Sequence, residues 1–497
     1  MKKQIIILIL ITFLTACAPA ATYTPVPTQM QQPSQMPMVT DQPTATVEAL
    51  PTAEIQPTET KKPKGQNQPI VPTSTRPEFV ATEIIGRPTD TSVTVNVIPA
   101  FDMDVVITYG MLNGAAQTIT VSGKANTPTE ITLTNLTPDT SHFYTVNGGT
   151  QHTFHTARAA GSTFTFAIQG DSHPERTKNQ FDPDLYSKTL LSAASIEPDF
   201  YIAIGDDFSV DTLKDVNPQT VTQLYVNQRQ WLGLVDAPVF LVNGNHEQAA
   251  LANYDGTPNN VAVWAANARN AYYPLPAPDN FYTGNPEPVE HIGLLHDYYA
   301  WTWGDALFIV IDPYWHSQVT VDNLFGDGKP QQGGEKGKRD LWEVSLGETQ
   351  YQWFKQTLET SNAKYKFVFA HHVLGTGRGG IELATSFEWG DAENLADHRS
   401  WDKTIHQLMV DNNVTIFFQG HDHIFARQEL DGVVYQSLPE PANPFYSWEN
   451  EQAYKSGDLF PNSGHVRVTV SPDGVTVDYI RSYLEKPDEV AFTYSIP

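Results

Sequence analysis

Val414-Thr415-Ile416-Phe417-Phe418-Gln419-Gly420-His421-Asp422-His423 is the stretch around which the chain is organised. Its first five residues, all apolar or β-branched, make a short buried strand. The strand stops at Gly420 and then presents His421 and His423 two residues apart. On an extended segment both imidazoles can reach one metal ion, whereas a turn begun by glycine can aim them at two neighbouring ions. Imidazole is the commonest metal ligand among side chains. A bare His-x-His is also common in surface loops, so the stretch gains meaning only from what surrounds it.

Four strand-like runs upstream end in the same manner. Thr163 to Gln169 closes on Gly170-Asp171-Ser172-His173, and Phe200 to Ile204 on Gly205-Asp206-Asp207. Pro238 to Val242 closes on Asn243-Gly244-Asn245-His246-Glu247, and Tyr365 to Ala370 on His371-His372. Helical segments separate them. Asp182-Pro183 reads as an N-cap with proline in the first turn, opening a helix through Leu190 and Ala194. Further helices are expected around Val221 to Leu232, over Gln350 to Leu358, and where Trp401, Ile405, Leu408 and Met409 keep helical spacing. Strands alternating with helices predict an α/β fold, and in open α/β sheets ligands bind beyond the carboxyl ends of the strands. The five turns can therefore converge.

The order GDxH, GD, GNHE, HH and GHDH resembles the calcineurin-like metallophosphoesterases, including their purple acid phosphatase branch, over roughly residues 164 to 480. The resemblance implies a metallophosphoesterase β-sandwich flanked by helices and a metal-dependent phosphoric ester hydrolase with two metal ions (Fe, Mn or Zn). It places Asp171, His173 and His423 on one ion, Asn245, His371 and His421 on the other, and Asp206 as the bridge between them. Two ions about 4 Å apart share a carboxylate well, and they turn a water into a hydroxide that attacks phosphorus in line. The neutral Asn245 limits the negative charge that meets an incoming phosphate. His246 follows a ligand and is expected to act as acid or charge stabiliser. His372 is expected behind the ligands or facing substrate, Arg378 either on the phosphate or simply in its turn, and Asp207 behind the bridge. The small phosphoester substrate is expected to be a monoester. A diester, nucleotide or phospholipid headgroup, is the rival, and a catalytically silent surface-binding module is the alternative of another class. All seven ligand positions are filled, which disfavours the silent module.

Two positions depart from the purple branch. His173 stands where those enzymes carry glycine, and Ser209 stands where they carry the tyrosine whose phenolate colours ferric iron. Phe208 cannot ligate, and only an inserted tyrosine such as Tyr272 or Tyr273 could replace that phenolate. The expectation is a colourless enzyme served by Mn²⁺ or another divalent ion, since mixed nitrogen and oxygen sites accept several metals.

Before this region, residues 78–158 alternate strand-like runs and turns without helical period, which predicts a small β-sandwich. Leu136-Thr137-Pro138-Asp139-Thr140-Ser141-His142-Phe143-Tyr144 resembles the late-strand signature of fibronectin type III-like domains, with His142 where a tyrosine usually makes the corner hydrogen bond. His152 and His155 close this region and are expected to pack or face solvent. The insertion 248–345 is expected to form lid loops, with Tyr298 to Asp312 as an antiparallel pair and Lys329, Lys336, Lys338 and Arg339 in a solvated loop. Near the end, Pro472-Asp473-Gly474 joins two strands as a hairpin.

The ends of the chain set its expected location. Lys2 and Lys3 precede an apolar run from Ile5 to Leu14, too short to span a bilayer and laid out as a secretory signal. It ends at Cys17, the single cysteine, and resembles a bacterial lipoprotein signal. Residues 18–77 hold twelve prolines and eleven threonines. Such a segment cannot bury enough apolar surface to order itself, and as a tether it reaches roughly 40 Å coiled or 190 Å as polyproline. The expected plan is a signal with lipidated Cys17 over 1–17, a tether over 18–77, the β-sandwich over 78–158 and the catalytic domain over 160–497. The catalytic domain would sit outside the cytoplasm, anchored to the cell envelope by its lipid. A net charge of −26 and a pI near 4.8 argue against general nucleic-acid binding. Oligomeric state is not legible in the sequence.

Overall fold

Residues 84–155 contain strands and no helix: β1 (Ile84–Gly86), β2 (Val93–Val97), β3 (Met103–Met111), β4 (Ala116–Gly123), β5 (Thr129–Leu133), β6 (Ser141–Val146) and β7 (His152–His155). They form two antiparallel sheets, in the orders β1-β2-β5 and β4-β3-β6-β7. Alternate residues face inward, so Val93, Val95, Val105, Ile107, Ile131, Tyr144 and Val146 make one core. His142 takes over the corner bond: its Nε2 lies 3.0 Å from the carbonyl of Thr137, five residues upstream. Tyr144 keeps the next inward place.

A computed structural model provides the coordinates; the structure describes residues 76–321, 344–375, 377–382, 384 and 401–497. All of them belong to one compact unit, Ala53–Pro497. Cys17, the tether up to residue 75, and Lys329, Lys336, Lys338 and Arg339 lie outside the described residues. Among those described, no helix is long and apolar enough to cross a membrane.

From residue 164 the elements run β8 (Phe164–Gln169), α1 (Pro183–Ala194), β9 (Phe200–Ala203), α2 (Pro218–Leu232), β10 (Val239–Leu241), α3 (Val261–Tyr272) and β11 (Thr283–Gly284). Then come β12 (Tyr299–Trp303), β13 (Ala306–Val310), α4 (Gly347–Thr360), β14 (Tyr365–Ala370), α5 (Ile405–Asp411) and β15 (Ile416–Gln419). The chain ends with β16 (Phe425–Leu430), β17 (Val433–Ser437), β18 (Asp458–Phe460), β19 (Gly464–Ser471), β20 (Gly474–Arg481) and β21 (Glu489–Ile496). Two mixed sheets result, β10-β9-β8-β19-β20-β21 and β11-β12-β13-β14-β15-β17-β16-β18. β8, β9 and β10 are parallel in the first, and β13, β14, β15 and β17 in the second.

Strand periodicity sorts each run between two cores. Phe166, Ile168, Phe200, Ile202, Phe367, Phe369, Ile416 and Phe418 point between the sheets. There Phe166 meets Phe200, Phe308, Phe367 and Phe418 at 5.3–6.2 Å between ring centres. Ala167, Tyr201, Ala203 and Leu241 point out under α1, α2 and α3, and Val368, Ala370 and Phe417 point out under α4 and α5. Strands buried on both faces read as continuous apolar runs, which is why the parallel strands were legible.

The helices start at side-chain caps. Asp182 accepts from the backbone N–H groups of Asp184 and Leu185, and Asn217 with Thr220 forms a capping box before Pro218. The insertion after residue 248 differs from the expected loops. Its Val261–Tyr272 segment is helix α3, capped by Asn260, with Ala262, Ala265, Ala266 and Arg269 buried. An alanine-rich run after asparagine favours a helix. α5 begins at Ile405, so Trp401 lies before it and stacks on Tyr351 at 3.9 Å.

Candidate metal centre

Five loops leave the carboxyl ends of β8, β9, β10, β14 and β15, three from one sheet and two from the other. They meet at one end of the sandwich. Asp171, His173, Asp206, Asn245, His371, His421 and His423 are all buried there, none more than 8% exposed. Ligand-type atoms converge in three groups, each within 4.8 Å: Asp171, His173 and His423; Asp206, His371 and His421; and His173, Asp206 and His246. Asn245 Oδ1 joins the second group, 3.2 Å from His371 Nε2. The seven expected ligands and His246 are thus brought together, with Asp206 shared between groups.

The backbone aims these side chains. His173, Asp206, His421 and His423 all have positive φ, between 44° and 68°. That is uncommon for residues with a Cβ and is kept where surrounding structure enforces it. A Cβ on Gly244 would land on the Asp206 carboxylate, so only glycine lets the β10 loop pass so close. Each carboxylate also accepts a backbone N–H: His421 donates to Asp171 at 3.0 Å and His246 to Asp206 Oδ1 at 2.9 Å.

The outer imidazole nitrogens are held, which turns the inner ones to the centre. His173 Nδ1 is 3.0 Å from Glu175, His371 Nδ1 is 3.1 Å from the carbonyl of Ile204, and His423 Nδ1 is 3.1 Å from Glu440. Glu440 is fixed in turn by Asn443 and Asn462. Glu247 accepts from the backbone of Gly244, Asp207 and Phe208, tying the β10 loop to the β9 loop. Burial and the nearby Asp206 charge push its carboxyl up to about 8.

The inner atoms crowd together at ligand distance from one another. His173 Nε2 faces His423 Nε2 at 3.2 Å, and Asp206 Oδ2 lies 3.1 Å from His371 Nε2 and 3.7 Å from His173 Nε2. Burial opposes charge on the imidazoles, yet Asp206 and Asp171 raise His371 to about 9, and Glu440 and Asp171 raise His423 to about 10. Asp206 is held well below the usual carboxylate range, since His371 and His246 outweigh its burial. Convergent imidazole nitrogens and buried carboxylates of this kind fit cations, and nitrogen and oxygen donors without sulfur suit Mn, Fe or Zn.

His246 stands at the rim. Its Nδ1 is 2.9 Å from Asp211 and its ring packs edge-on to His173 at 4.9 Å. Burial alone would lower its proton affinity, but Asp206 and Asp211 raise it to about 9. His372 is fully buried and stacks on His421 at 4.0 Å, with Nδ1 3.1 Å from the Tyr314 hydroxyl; burial drives it down to about 3. Arg378 donates to the His421 carbonyl and to Asp422, bracing the β15 loop. Asp207 accepts from Gln169 and Ser172. Ser209 Oγ is 3.5 Å from His173 Nδ1. Tyr273 donates to the Tyr225 carbonyl, within the helix-side core. Glu175, Arg176, Asp211 and Glu440 were not singled out from sequence. Glu175 and Arg176 directly follow the first motif, which was the signal available; Glu440 is brought in only by tertiary folding.

A cavity of about 710 Å³ between β12 and α4, lined by Phe281, Trp301, Trp353 and Lys364, includes no residue of this centre.

Residues 164–425 match the family described as calcineurin-like phosphoesterase. No curated protein matches the chain. Among solved structures, the chain resembles PhoD at 15% identity and a TM-score of 0.59, covering 85% of this chain and 91% of that one. It also resembles the purple acid phosphatase PPD1 from yellow lupin (Lupinus luteus) seeds, at 15% identity and a TM-score of 0.56, covering 84% and 74%. Both likenesses are of fold.

Proposed function

Because this chain belongs to the calcineurin-like phosphoesterase family, a family of metal-dependent phosphoester hydrolases with two metal ions, we propose that it is a phosphomonoesterase working outside the cytoplasm. The observation that carries the chemistry is the three-way convergence of buried imidazoles and carboxylates at the strand ends. Asp171, His173 and His423 would hold one ion, Asn245, His371 and His421 the other, and Asp206, which belongs to two of the groups, would hold both. The ions, when bound, supply Lewis acidity at phosphorus and generate a nucleophile from water at neutral pH.

The chain's own residues do the rest. Glu175, Ile204 and Glu440 fix the ring orientations, so the centre is built before substrate arrives. Asn245 offers a neutral oxygen. Asp211 holds His246 by Nδ1 and leaves Nε2 facing the centre, 3.8 Å from Asp206 Oδ2, where it can give a proton to the leaving oxygen. His372 supports His421 by stacking rather than by reaching solvent.

Export, lipidation of Cys17 and the tether complete the proposed picture, with an ectodomain that works as well without residues 18–77. Mn²⁺ or another divalent ion suits the site. Ser209 takes the place of the phenolate, and the tyrosine hydroxyls of Tyr273 and Tyr314 are engaged elsewhere. The deciding experiment is a panel of chromogenic mono- and diesters, nucleotides and phospholipid headgroups offered to the metal-loaded ectodomain. Monoesters should be turned over fastest. Faster turnover of any diester would overturn the preference, and no turnover of any ester would favour a silent binding module.

A further inference from the structure

The centre would hold metals and offers an acid, but Arg378, the cation expected on the phosphate or in its turn, is committed to the His421 carbonyl and to Asp422. We propose that Arg176 grips the substrate's phosphoryl oxygens beside His246, and that this grip favours the dianion of a monoester; the inference rests on the phosphoester reading above.

Arg176 lies three residues beyond His173, on a turn the backbone clamps twice. Its N–H donates to the His173 carbonyl at 2.9 Å, and its own carbonyl accepts from Asn179, Gln180 and Phe181 at 2.9–3.1 Å. The turn is also fastened to the metal groups through side chains. Glu175 holds His173, and Gln180 Nε2 lies 3.5 Å from His423 Nδ1. The guanidinium is thus set on the same frame as two candidate ligands.

Its head reaches the reacting end of the site. Nη2 is 3.4 Å from His246 Nε2, and Nη1 donates to Gln180 Oε1 at 2.5 Å. Nε lies 3.3 Å from Glu175. A guanidinium carries five N–H groups, so among the described residues at least one N–H on each Nη nitrogen is left over, since a protonated His246 Nε2 accepts nothing from Nη2. The side chain remains 27% exposed and His246 19%, so both open to solvent on a rim whose floor is buried. Arg176, paired at Nε with Glu175, sets its Nη end beside the proton donor.

Charge and geometry indicate the substrate class. Two spare N–H groups in one plane match a pair of phosphoryl oxygens. A monoester offers three non-bridging oxygens and two negative charges, a diester two oxygens and one charge. An added cation therefore helps the monoester more.

The test uses the metal-loaded full chain and the variants R176A and R176Q, with metal content and melting temperature measured alongside. Three readouts are taken: kcat/KM for an aryl phosphomonoester, kcat/KM for the matching diester, and affinity for inorganic phosphate by calorimetry. The expected result is a loss of about 10²-fold in monoester kcat/KM, a smaller loss for the diester, and at least tenfold weaker phosphate binding, with both metals kept. Wild-type phosphate affinity in either variant that retains its metals overturns the proposal, as does an equal loss on both esters. If the wild-type chain hydrolyses no ester, the phosphoester reading fails by itself, while the phosphate titration still judges Arg176.

Discussion

Two of the places where this molecule buries charge are built in opposite ways. At the junction between the N-terminal sheets and the α/β region, Arg229 on α2 is fully buried. Its guanidinium donates to the carbonyls of Thr82, Asn96 and Tyr272 and to the Asn96 side chain, so one cation is surrounded by neutral oxygens. Burial pulls it to about 10, which leaves it charged at neutral pH. At the candidate metal centre, two carboxylates and several imidazoles converge from five loops and face one another across 3–4 Å. The difference teaches what each is for. A cation enclosed by neutral oxygens stabilises an interface, whereas converging carboxylates and imidazoles are a donor set for cations.

Four substitutions separate the two clusters. The largest effect is expected from Asp206→Asn. Asp206 belongs to two of the three ligand groups, so metal content should fall and activity should drop about 10³-fold or more, the several kcal/mol that metal ions contribute. Elemental analysis beside kinetics reads this, and full metal content would end its bridging role. His246→Ala should keep both metals and lose turnover by about 10²–10⁴-fold, the usual worth of a positioned acid; a near-normal rate would remove it from the mechanism.

Arg229→Met should act on stability alone. It leaves buried carbonyls unpaired and should cost about 3–5 kcal/mol in urea unfolding, with activity per folded molecule unchanged. Metal loss in this variant would show that the two clusters are not independent.

The smallest effect concerns the junction's rim, where His152 on β7 meets Asp236 at 2.6 Å and Glu83 at 3.5 Å. Burial lowers its proton affinity, but the two carboxylates outweigh burial and raise the imidazole to about 9. The folded value lies above the unfolded one, near 6.5, so the protonated form stabilises the fold. That contribution is fully present below about pH 6.5 and is lost as pH rises through about 9. Melting temperature across pH 6–10 should fall more steeply for the wild type than for His152→Ala, and parallel curves would disprove the link.

The difference between the two clusters is also a difference in legibility. The metal centre could be read because each ligand sits at the end of an apolar run, beside glycine or in a histidine pair, within a few residues of a strand end. The junction could not. Arg229 looks like any charged residue on α2, and its partners Thr82, Asn96 and Tyr272 are more than 40 residues away along the chain. α3 was missed although asparagine followed by an alanine-rich run marked its start, because the surrounding insertion is rich in proline and asparagine. His142 was visible as a departure from the usual tyrosine, but only the fold shows that an imidazole spans the same corner.

The seven ligand candidates follow from the family resemblance; by itself the sequence determined the alternation of strands and helices and the five loops that close the strands. These are local properties: side-chain period, turn chemistry and residue type act within a few positions of one another. Tertiary structure alone decided which ligands share a group, and that Glu440 and Glu175 orient them. It also committed Arg378 to Asp422 while leaving Arg176 open beside His246. Those outcomes depend on distances between segments that come together only when the two sheets pack face to face.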